Sequence, residues 1–196
     1  MFKDLGIVAT GMNSDNKDYE LIRDFLAGNE QSFNILARKY QEKIYWHARR
    51  MLGNHDDANE IVQQVLLVMH KKINTFNFSS ALYTWIYKIT STRSLNLIKK
   101  RTLTRIFSFS SVESFENHGY ENIIEDIEAR EKFSKMEKLL LKLPVKQREI
   151  FVMRNYDDLS YEEISNITEK SVGALKANYF HAFRKMKELM EKDENR

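Results

Sequence analysis

The amino-acid sequence predicts an all-α protein with two helical domains joined by a flexible linker. Apolar residues recur at three- and four-residue intervals along most of the 196 positions, which is the spacing of one face of a helix. The chain contains a single proline and six glycines, so few positions interrupt helices. No segment alternates apolar and polar residues as a half-buried strand would. This length accommodates one large domain or two small ones with real cores.

We expect residues 1–17 to form a disordered tail, because they show no periodicity and end in a polar run. A short helix is predicted from Asp18 until Gly28 breaks it. A longer helix is predicted from Glu30 to Leu52, where one face is apolar throughout and Gly53 supplies a left-handed C-cap.

A third helix is predicted from Asp57 to about Ile73, and its acidic first turn suits the positive end of the helix dipole. Residues 74–80 have the composition of a loop, although they include two phenylalanines. A fourth helix follows, and its apolar stripe assigns Trp85 to the core. These helices make a first domain of residues 18–105.

Residues 106–132 are predicted to be a linker between the first domain and a second domain of residues 133–196. The segment begins Ser-rich and irregular. Residues 113–128 then carry acidic side chains with no lysine or arginine.

The second domain has the pattern of a helix-turn-helix. Pro144 suits the start of a helix that runs to about Asn155. Ser160 begins a Ser-Tyr-Glu-Glu capping box with Glu163, and Ser171 is placed to cap a final helix. Because the final helix is polar and basic on its outer face, it suits a DNA major groove, whereas an ordinary helical hairpin with a solvated basic face is the alternative. Its apolar face is predicted to comprise Val172, Leu175, Tyr179, Ala182, Phe183 and Met186.

The charge distribution in the first domain indicates a polyanionic partner. The net charge is only +3, yet no acidic residue lies between Ile61 and Val112. Eight basic residues lie in the same stretch, which favours polyanion binding over a solvated surface. They are Lys71, Lys72, Lys88, Arg93, Lys99, Lys100, Arg101 and Arg105.

Several classes of protein are excluded or disfavoured. The absence of cysteine excludes a disulfide scaffold, a thiolate zinc site and a thiol redox switch. No apolar run is long enough to span a membrane and the first residues do not form a secretory signal, so we expect a cytoplasmic protein with no membrane partner. We also expect no enzymatic activity, cofactor, metal or small-molecule substrate. A metal hydrolase built from His47, His55, Glu60 and His70 is an alternative, although none of these residues forms a pair at ligand spacing.

Four motifs occur in one order along the chain. They are Asp-Ala-x-Glu-x-x-Gln at 57–63, Thr-Trp-Ile at 84–86, Leu-Pro-x-x-x-Arg-Glu at 143–149 and Leu-Ser-Tyr-Glu-Glu-Ile at 159–164. In this register the chain resembles regions 2 and 4 of an extracytoplasmic-function (ECF) sigma factor of the sigma-70 family, over about residues 19–105 and 133–190. The resemblance implies a subunit of bacterial RNA polymerase that recognises −10 and −35 promoter elements and helps to open DNA. The implied partners are core RNA polymerase and promoter DNA, both duplex and single-stranded, with an anti-sigma factor left open.

The resemblance implies that the third helix docks on a coiled coil of the largest β-type polymerase subunit. The residues concerned are Asp57, Glu60, Gln63 and Gln64. Their carboxylate and amide groups suit arginines through charge-assisted hydrogen bonds. The alternative for Asp57 and Glu60 is interaction with the helix dipole, and both roles can hold at once.

The resemblance further implies that the loop at 75–80 and the helix after it hold the −10 element as a single strand with one base flipped out. Phe76 and Phe78 are candidates for stacking on bases, although we expect at least one of them to be a core residue. The full set of candidate contacts is Phe76, Asn77, Phe78, Lys88, Thr92, Arg93, Lys99, Lys100 and Arg101.

Residues 171–187 are implied to read the −35 element. Asn178 suits adenine, and Arg184 suits guanine or phosphate. Phe180 either touches a thymine methyl group or only packs, and His181 either contacts DNA or only solvent. The full set of candidates is Ser171, Lys176, Asn178, Phe180, His181 and Arg184.

The chain departs from the usual family pattern at several of these places. Thr92 stands where asparagine is common, and Glu169 and Lys170 replace the usual glycine and apolar residue of the turn. Other departures are Gln64 for Glu, Ala177 for Ser, Asn178 for Arg and His181 for Arg. The promoter preference of relatives therefore does not transfer. The alternative function is a two-domain helix-turn-helix regulator that does not recruit polymerase, and the acidic face of the third helix argues against it.

Overall fold

The structure is a computed structural model, and it describes residues 8–107 and 127–194. Within these two ranges the chain forms eight α-helices, one 3₁₀ turn and no strand, which confirms the all-α class. The helices are α1 (Val8–Leu26), α2 (Glu30–Leu52), α3 (His55–Lys72), α4 (Leu82–Phe107), α5 (Ile127–Leu141), α6 (Val145–Asn155), α7 (Tyr161–Thr168) and α8 (Val172–Glu194), and the 3₁₀ turn is Ile73–Thr75. We call α1–α4 the N-terminal lobe and α5–α8 the C-terminal lobe.

The central helix of the N-terminal lobe is α2, which has the predicted bounds. Its apolar face packs against α1, α3 and α4. At its start the side chain of Asn29 accepts a hydrogen bond from the backbone N–H of Gln31. At its end Gly53 has a φ of 72°, a left-handed conformation that glycine adopts at least cost. A β-carbon at Gly53 would also overlap the side chain of Leu141, because α5 lies against this turn.

The first helix begins at Val8, well before the expected start at Asp18. The segment that we expected to be a disordered tail is therefore helical from Val8 onward. Residues 18–26 are held by the burial of Ile22 and by buried Asp18, which accepts hydrogen bonds from Lys39 and Tyr40 of α2. Residues 8–17 can then extend this helix without a new nucleation cost. The helix is therefore longer than the segment from Asp18 that shows apolar periodicity.

Helix occupies both ends of the segment expected to be the linker, residues 106–132. Helix α4 continues to Phe107, and α5 begins at Ile127. The intervening residues 108–126, which include most of the acidic stretch, lie outside the described residues.

The two lobes pack directly against each other. One continuous hydrophobic cluster includes Ile44 and Met51 of α2 together with Leu140 and Met186 of the C-terminal lobe. A second cluster joins Tyr87 of α4 to apolar residues of the other lobe, namely Ile150, Met153, Leu159, Ile164, Ile167 and Leu175. The two predicted helical groups are therefore both present, and they share a buried interface that periodicity within each group does not reveal.

Candidate functional site

The first candidate surface lies on α3. Asn54 caps this helix, because its Oδ1 accepts a hydrogen bond of 3.0 Å from the N–H of Asp57. One turn further on, Glu60 and Gln63 are exposed. Gln64 is half-buried, and its Nε2 donates to Glu60 Oε1 at 2.8 Å. Three of the four predicted docking residues thus form a carboxylate and amide surface on one side of α3.

The fourth residue, Asp57, is buried and paired within the chain. Both of its oxygens accept hydrogen bonds from the guanidinium of Arg101 on α4, with an Nη2–Oδ1 distance of 2.6 Å. Such bidentate pairs are among the stronger ion pairs in proteins. A residue predicted to bind polymerase and a residue predicted to bind DNA therefore neutralise each other in this structure.

The loop after the 3₁₀ turn contains one buried phenylalanine. Phe76 is 5% exposed, and its ring packs against Tyr19, Phe78 and Trp85 with centroid distances of 6.0, 5.1 and 6.0 Å. Phe76 is therefore a core residue and not a stacking surface, which corrects its assignment as a DNA contact. The expectation that at least one of the two phenylalanines is core is confirmed, and Trp85 packs against the core as predicted.

The other two candidates in this loop are more accessible. Phe78 is half-buried and has a φ of 58°, and the guanidinium carbon of Arg23 lies 5.6 Å from its ring centroid. Asn77 is exposed, and its Oδ1 accepts hydrogen bonds from the N–H and the hydroxyl of Ser79 at 3.2 and 2.6 Å. The loop is thus held in one shape by its own polar side chains.

Helix α4 presents the remaining basic candidates. Arg93, Lys99 and Lys100 are exposed along it. Thr92 is also exposed, but its hydroxyl donates at 2.7 Å to the carbonyl of Lys88 one turn earlier. The ammonium of Lys88 lies 2.7 Å from Glu169 Oε1, across the boundary between the lobes. Helix α4 therefore exposes cations toward its C-terminal half, whereas Lys88 is exposed but paired with the other lobe.

The predicted helix-turn-helix is present as α7, a short turn and α8. The capping box is confirmed: the N–H of Ser160 donates to Glu163 Oε2 at 2.6 Å, and the N–H of Glu163 donates to Ser160 Oγ at 3.2 Å. Tyr83 of α4 also donates to this carboxylate. Burial by itself raises the pKa of Glu163, but the hydrogen bonds from Tyr83 and Ser160 outweigh it and hold the pKa below its ordinary value. Ser171 caps α8 as expected, since its Oγ accepts from the N–H of Ala174 at 3.3 Å.

The inner face of α8 is as predicted except at one position. Leu175, Ala182 and Met186 are buried. Phe183 is 53% exposed, so its assignment to the apolar face is wrong. It follows Ala182 directly and therefore points about 100° around the helix from it, beyond the arc that the C-terminal lobe covers.

The outer face of α8 carries the candidates for DNA reading. Phe180 is 61% exposed, so it does not pack in this structure. Asn178 is half-buried, and its Nδ2 donates at 2.8 Å to the carbonyl of Ala174, so the amide is engaged by its own helix here. Arg184 Nε lies 3.6 Å from Glu188 Oε1. The exposed candidates on this face are Ser171, Lys176, Phe180, His181 and Arg184.

Buried polar and charged side chains join the two lobes, and our sequence analysis did not predict these contacts. His47 Nδ1 lies 2.6 Å from Asp157 Oδ2, and both side chains are almost fully buried. Arg49 Nη2 donates to Glu137 Oε2 at 2.8 Å. One signal was available: His47 follows Ile44 by three positions inside the apolar stripe of α2, where a polar side chain needs a buried partner.

Two buried groups at the boundary between the lobes, Glu137 and Arg148, have shifted pKa values. Burial raises the pKa of Glu137 to about 7, although the nearby Arg49 and Arg50 oppose the shift. Burial also lowers the pKa of the Arg148 guanidinium to about 10.

Arg148 ties three chain segments together. Its Nη1 donates to the carbonyl of Met51 at 2.5 Å, and its Nη2 donates to the carbonyls of Leu141 and Leu143 at 3.0 and 3.3 Å. Met51 lies at the end of α2, whereas Leu141 ends α5 and Leu143 lies in the turn after it. The arginine of the Leu-Pro-x-x-x-Arg-Glu motif therefore holds the C-terminal lobe to the N-terminal lobe.

The residues of the hydrolase alternative do not converge. His47 contacts Asp157, His55 Nδ1 is 3.1 Å from the Tyr45 hydroxyl, and His70 lies 3.4 Å from Glu30. Among the residues that the structure describes, no three His, Cys, Asp or Glu side chains are placed to hold a metal ion. A helix with the length and apolarity to cross a membrane is likewise absent from residues 8–107 and 127–194.

Protein-family models match both lobes of the chain. Residues 36–104 match the family model described as Sigma-70 region 2, and residues 133–186 match the model described as Sigma-70, region 4. The first match covers most of α2 together with α3 and α4, and the second covers the helix-turn-helix.

Curated relatives match over most of their length. The chain is 25% identical over 178 residues to the RNA polymerase sigma-H factor of Pseudomonas aeruginosa, covering 87% of this chain and 92% of that protein. It is 26% identical over 162 residues to the ECF RNA polymerase sigma factor SigW of Bacillus subtilis, covering 79% and 87%. It is also 26% identical over 178 residues to the ECF RNA polymerase sigma-E factor of Escherichia coli K12, covering 87% and 93%.

Two solved structures share the fold. CnrH in complex with the cytosolic domain of CnrY has a TM-score of 0.69 and 19% identity, covering 90% of this chain and 99% of that chain. The sigma factor RpoE of Bartonella quintana, in complex with the anti-sigma factor NepR, has a TM-score of 0.69 and 22% identity, covering 82% and 98%.

Proposed function

Because the chain belongs to the sigma-70 family and is an RNA polymerase sigma factor of the ECF group, we propose that three of its helices divide promoter recognition between them. In this proposal α3 docks on core RNA polymerase, α4 and the loop before it hold the opened −10 strand, and α8 reads the −35 duplex. The observation that carries the proposal is that acidic and amide groups, free cations and a helix-turn-helix are exposed on separate helices in the order of the matched regions.

The docking role of α3 is supported by the polar side chains on one side of the helix. Glu60, Gln63 and Gln64 offer one carboxylate and two amides to a partner. A carboxylate supported by an amide hydrogen bond, as in the Glu60–Gln64 pair, is an acceptor well suited to an arginine-bearing surface. Asp57 can take part only if it exchanges Arg101 for a group on polymerase, because both of its oxygens are already engaged.

The −10 role of α4 is supported by cations without acidic neighbours in sequence. Lys99 and Lys100 are exposed near one end of the helix, and Arg93 is exposed two turns earlier. Release of counterions by phosphate contacts gives such a surface affinity for a single strand, whatever its sequence. Phe78 supplies the accessible aromatic ring that a flipped base needs, since Phe76 is buried.

The −35 role of α8 is supported by the helix-turn-helix geometry and by the exposed outer face. Lys176, His181 and Arg184 extend from this face, and Phe180 adds an apolar group of the kind that contacts thymine methyl groups. The face carries fewer arginines than the resemblance implies, so we expect apolar and amide contacts to contribute much of the base selectivity. We place the activity in the cytoplasm with polymerase and leave an anti-sigma factor as a further partner.

The test is reconstitution with purified core RNA polymerase. We expect the full chain to copurify with the core enzyme and to direct transcription from a new set of start sites on genomic fragments. A helix-turn-helix regulator without a polymerase role would bind duplex DNA and fail to copurify. That outcome would replace the proposal with the regulator alternative.

A further inference from the structure

The first helix of the N-terminal lobe packs against the loop at residues 76–80. The hydroxyl of Tyr19 on α1 donates a hydrogen bond of 3.1 Å to the backbone carbonyl of Ser80, although 61 positions separate the two residues. The Tyr19 ring also lies edge-on to the ring of Phe78, with a centroid distance of 5.2 Å and an interplanar angle of 86°. Helix α1 therefore holds both the end of this loop and its accessible aromatic ring.

Arg23 lies one helical turn after Tyr19 and contacts the same ring. Its guanidinium carbon is 5.6 Å from the centroid of the Phe78 ring. Arg23 is exposed and Phe78 is half-buried, so a ligand can reach both side chains from solvent. The helix that carries Arg23 is itself held in place, because the buried side chain of Asp18 accepts hydrogen bonds from two residues of α2.

The loop holds Phe78 in an unusual backbone conformation. Its φ of 58° lies in the left-handed region, which a bulky residue seldom adopts. Such a conformation costs free energy and persists only where the surrounding contacts maintain it. Asn77 supplies two of these contacts, because its Oδ1 accepts hydrogen bonds from the N–H and the hydroxyl of Ser79. Helix α1 supplies the others, so the ring is held at the surface of the lobe in one orientation.

Arg23 and Phe78 together offer two kinds of interaction to an unpaired nucleic-acid base. An aromatic ring stacks on the face of any base. A guanidinium carries only donors, arranged in a planar fork, so it pairs with a base edge that presents acceptors. Guanine, cytosine and thymine each have a carbonyl oxygen, whereas adenine has none and presents an amino donor beside its ring acceptors. Of the four bases, adenine therefore matches this pair of side chains least well.

The two α1 residues lie outside the part of the chain that the region 2 family model matches. That match begins at residue 36, and Tyr19 and Arg23 both precede it. The loop at 76–80 lies inside the matched range. The match therefore gives no role to the two α1 residues, and it is the fold that brings them against the loop.

We propose that Arg23 of α1 and Phe78 of the loop form one subsite for the flipped base of the −10 strand, and that Tyr19 positions the loop for it. The proposal rests on the proposed function and deepens it, because it adds a base-reading arginine to the stacking ring. In this subsite the base stacks on Phe78, and its acceptor edge accepts hydrogen bonds from the Arg23 guanidinium. We expect the subsite to prefer guanine, cytosine or thymine to adenine.

The experiment measures the base preference at each position of the opened strand. The full chain is bound to core RNA polymerase and mixed with a fork DNA whose single-stranded −10 segment is randomised, and the bound DNA is sequenced. The flipped position is the one whose preference is lost in Phe78→Ala. At this position we expect the wild type to enrich the three carbonyl-bearing bases over adenine by about ten-fold, within the range for one bidentate contact.

Substitution of Arg23 tests the base-reading role. We expect Arg23→Gln to lose the discrimination against adenine, because a glutamine amide can pair with adenine, and to keep the preferences at the other positions. Arg23→Lys should lose the discrimination as well, because lysine keeps the charge but lacks the planar fork. Arg38→Gln is the matched control, since Arg38 is an exposed arginine of α2, and it should behave as the wild type does. Wild-type discrimination in Arg23→Gln, or its full recovery in Arg23→Lys, would overturn the role of Arg23.

Substitution of Tyr19 tests the positioning role. Tyr19→Phe removes the hydroxyl that donates to Ser80 and retains the ring that packs on Phe78. Tyr45→Phe is the matched control, because the hydroxyl of half-buried Tyr45 also makes one contact within the lobe, 3.1 Å from His55 Nδ1. We expect Tyr19→Phe to weaken the preference at the flipped position by about five-fold, the equilibrium equivalent of one hydrogen bond, and Tyr45→Phe to leave it unchanged. An equal loss at every position, or in both variants, would show a structural role only and overturn the positioning role.

The wild type and Phe78→Ala separate failure of the subsite from failure of the proposed function. A wild-type complex that binds the fork DNA but prefers adenine at the flipped position would overturn the subsite and leave the proposed function intact. The same conclusion would follow if Phe78→Ala lost preference at no position. A chain that does not bind polymerase, or whose complex with polymerase does not bind the fork DNA, would instead overturn the proposed function.

Discussion

Removal of two exposed lysines from α4 tests the single-strand surface directly. Neutralisation of each phosphate contact on a single strand contributes about −0.7 to the slope of log K against log salt. Lys99→Ala with Lys100→Ala should therefore make the slope shallower by about 1.4 if both lysines contact phosphate. The sequence alone counted Arg101 with Lys99 and Lys100 among the candidate phosphate contacts. Because Asp57 is paired with Arg101 in the structure, we expect the effect from the two lysines.

The assay uses the chain bound to core polymerase and a labelled fork DNA with a single-stranded −10 segment, titrated by fluorescence anisotropy from about 50 to about 300 mM salt. Lys71→Ala with Lys72→Ala is the matched control, because these are also adjacent exposed lysines but lie at the end of α3. We expect that control, and Arg101→Ala, to retain the wild-type slope. An unchanged slope in the α4 double variant, or an equal reduction in the α3 double variant, would refute the assignment of this surface.

Three further predictions concern stability. Arg148→Met removes hydrogen bonds to carbonyls at the ends of α2 and α5, and we expect it to lower the free energy of unfolding by about 3 kcal/mol or more in urea denaturation followed by circular dichroism. The folded-state pKa of Glu137 is raised to about 7, so its contribution to the free energy of unfolding is present at low pH and is lost as pH rises through about 7. Urea denaturation between pH 5 and pH 8 should show this fall in the wild type and a flatter profile in Glu137→Gln. Ser160→Ala removes one half of the capping box and should lower the free energy of unfolding by about 1 kcal/mol in thermal denaturation, whereas an unchanged value would show that the Tyr83–Glu163 bond alone orders the start of α7.

The sequence predicted helix boundaries well where residues next to the boundary determine it. Helix α2 has both predicted ends, because its amphipathic pattern spans the segment and Gly53 supplies the left-handed residue that ends it. The capping box at Ser160 formed as expected for the same reason, since donor and acceptor lie three residues apart. The start of α1 was placed too late, because the rule for a helix start does not account for extension of a helix that packing has already nucleated.

The interface between the lobes was not predictable from periodicity. The partners in His47–Asp157 and Ser91–Glu149 are 110 and 58 positions apart, and polar residues leave no apolar repeat that would mark them as buried. Phe183 shows the converse error. It fits the apolar spacing of α8, yet no described element covers that side of the helix, so the ring is exposed. Burial at such positions is decided by tertiary neighbours, which helical spacing does not specify.

The interface between the lobes combines apolar packing with buried polar atoms that lack partners within the described part of the chain. Buried atoms at this boundary, among them His47 Nε2, Glu137 Oε1 and Arg148 Nε, have no hydrogen-bond partner among the described residues. Each such atom costs about 1–3 kcal/mol in lost hydration, which an apolar interface of the same area would not incur. Separation of the lobes would return these atoms to water, so part of the cost of separating the apolar surfaces would be recovered.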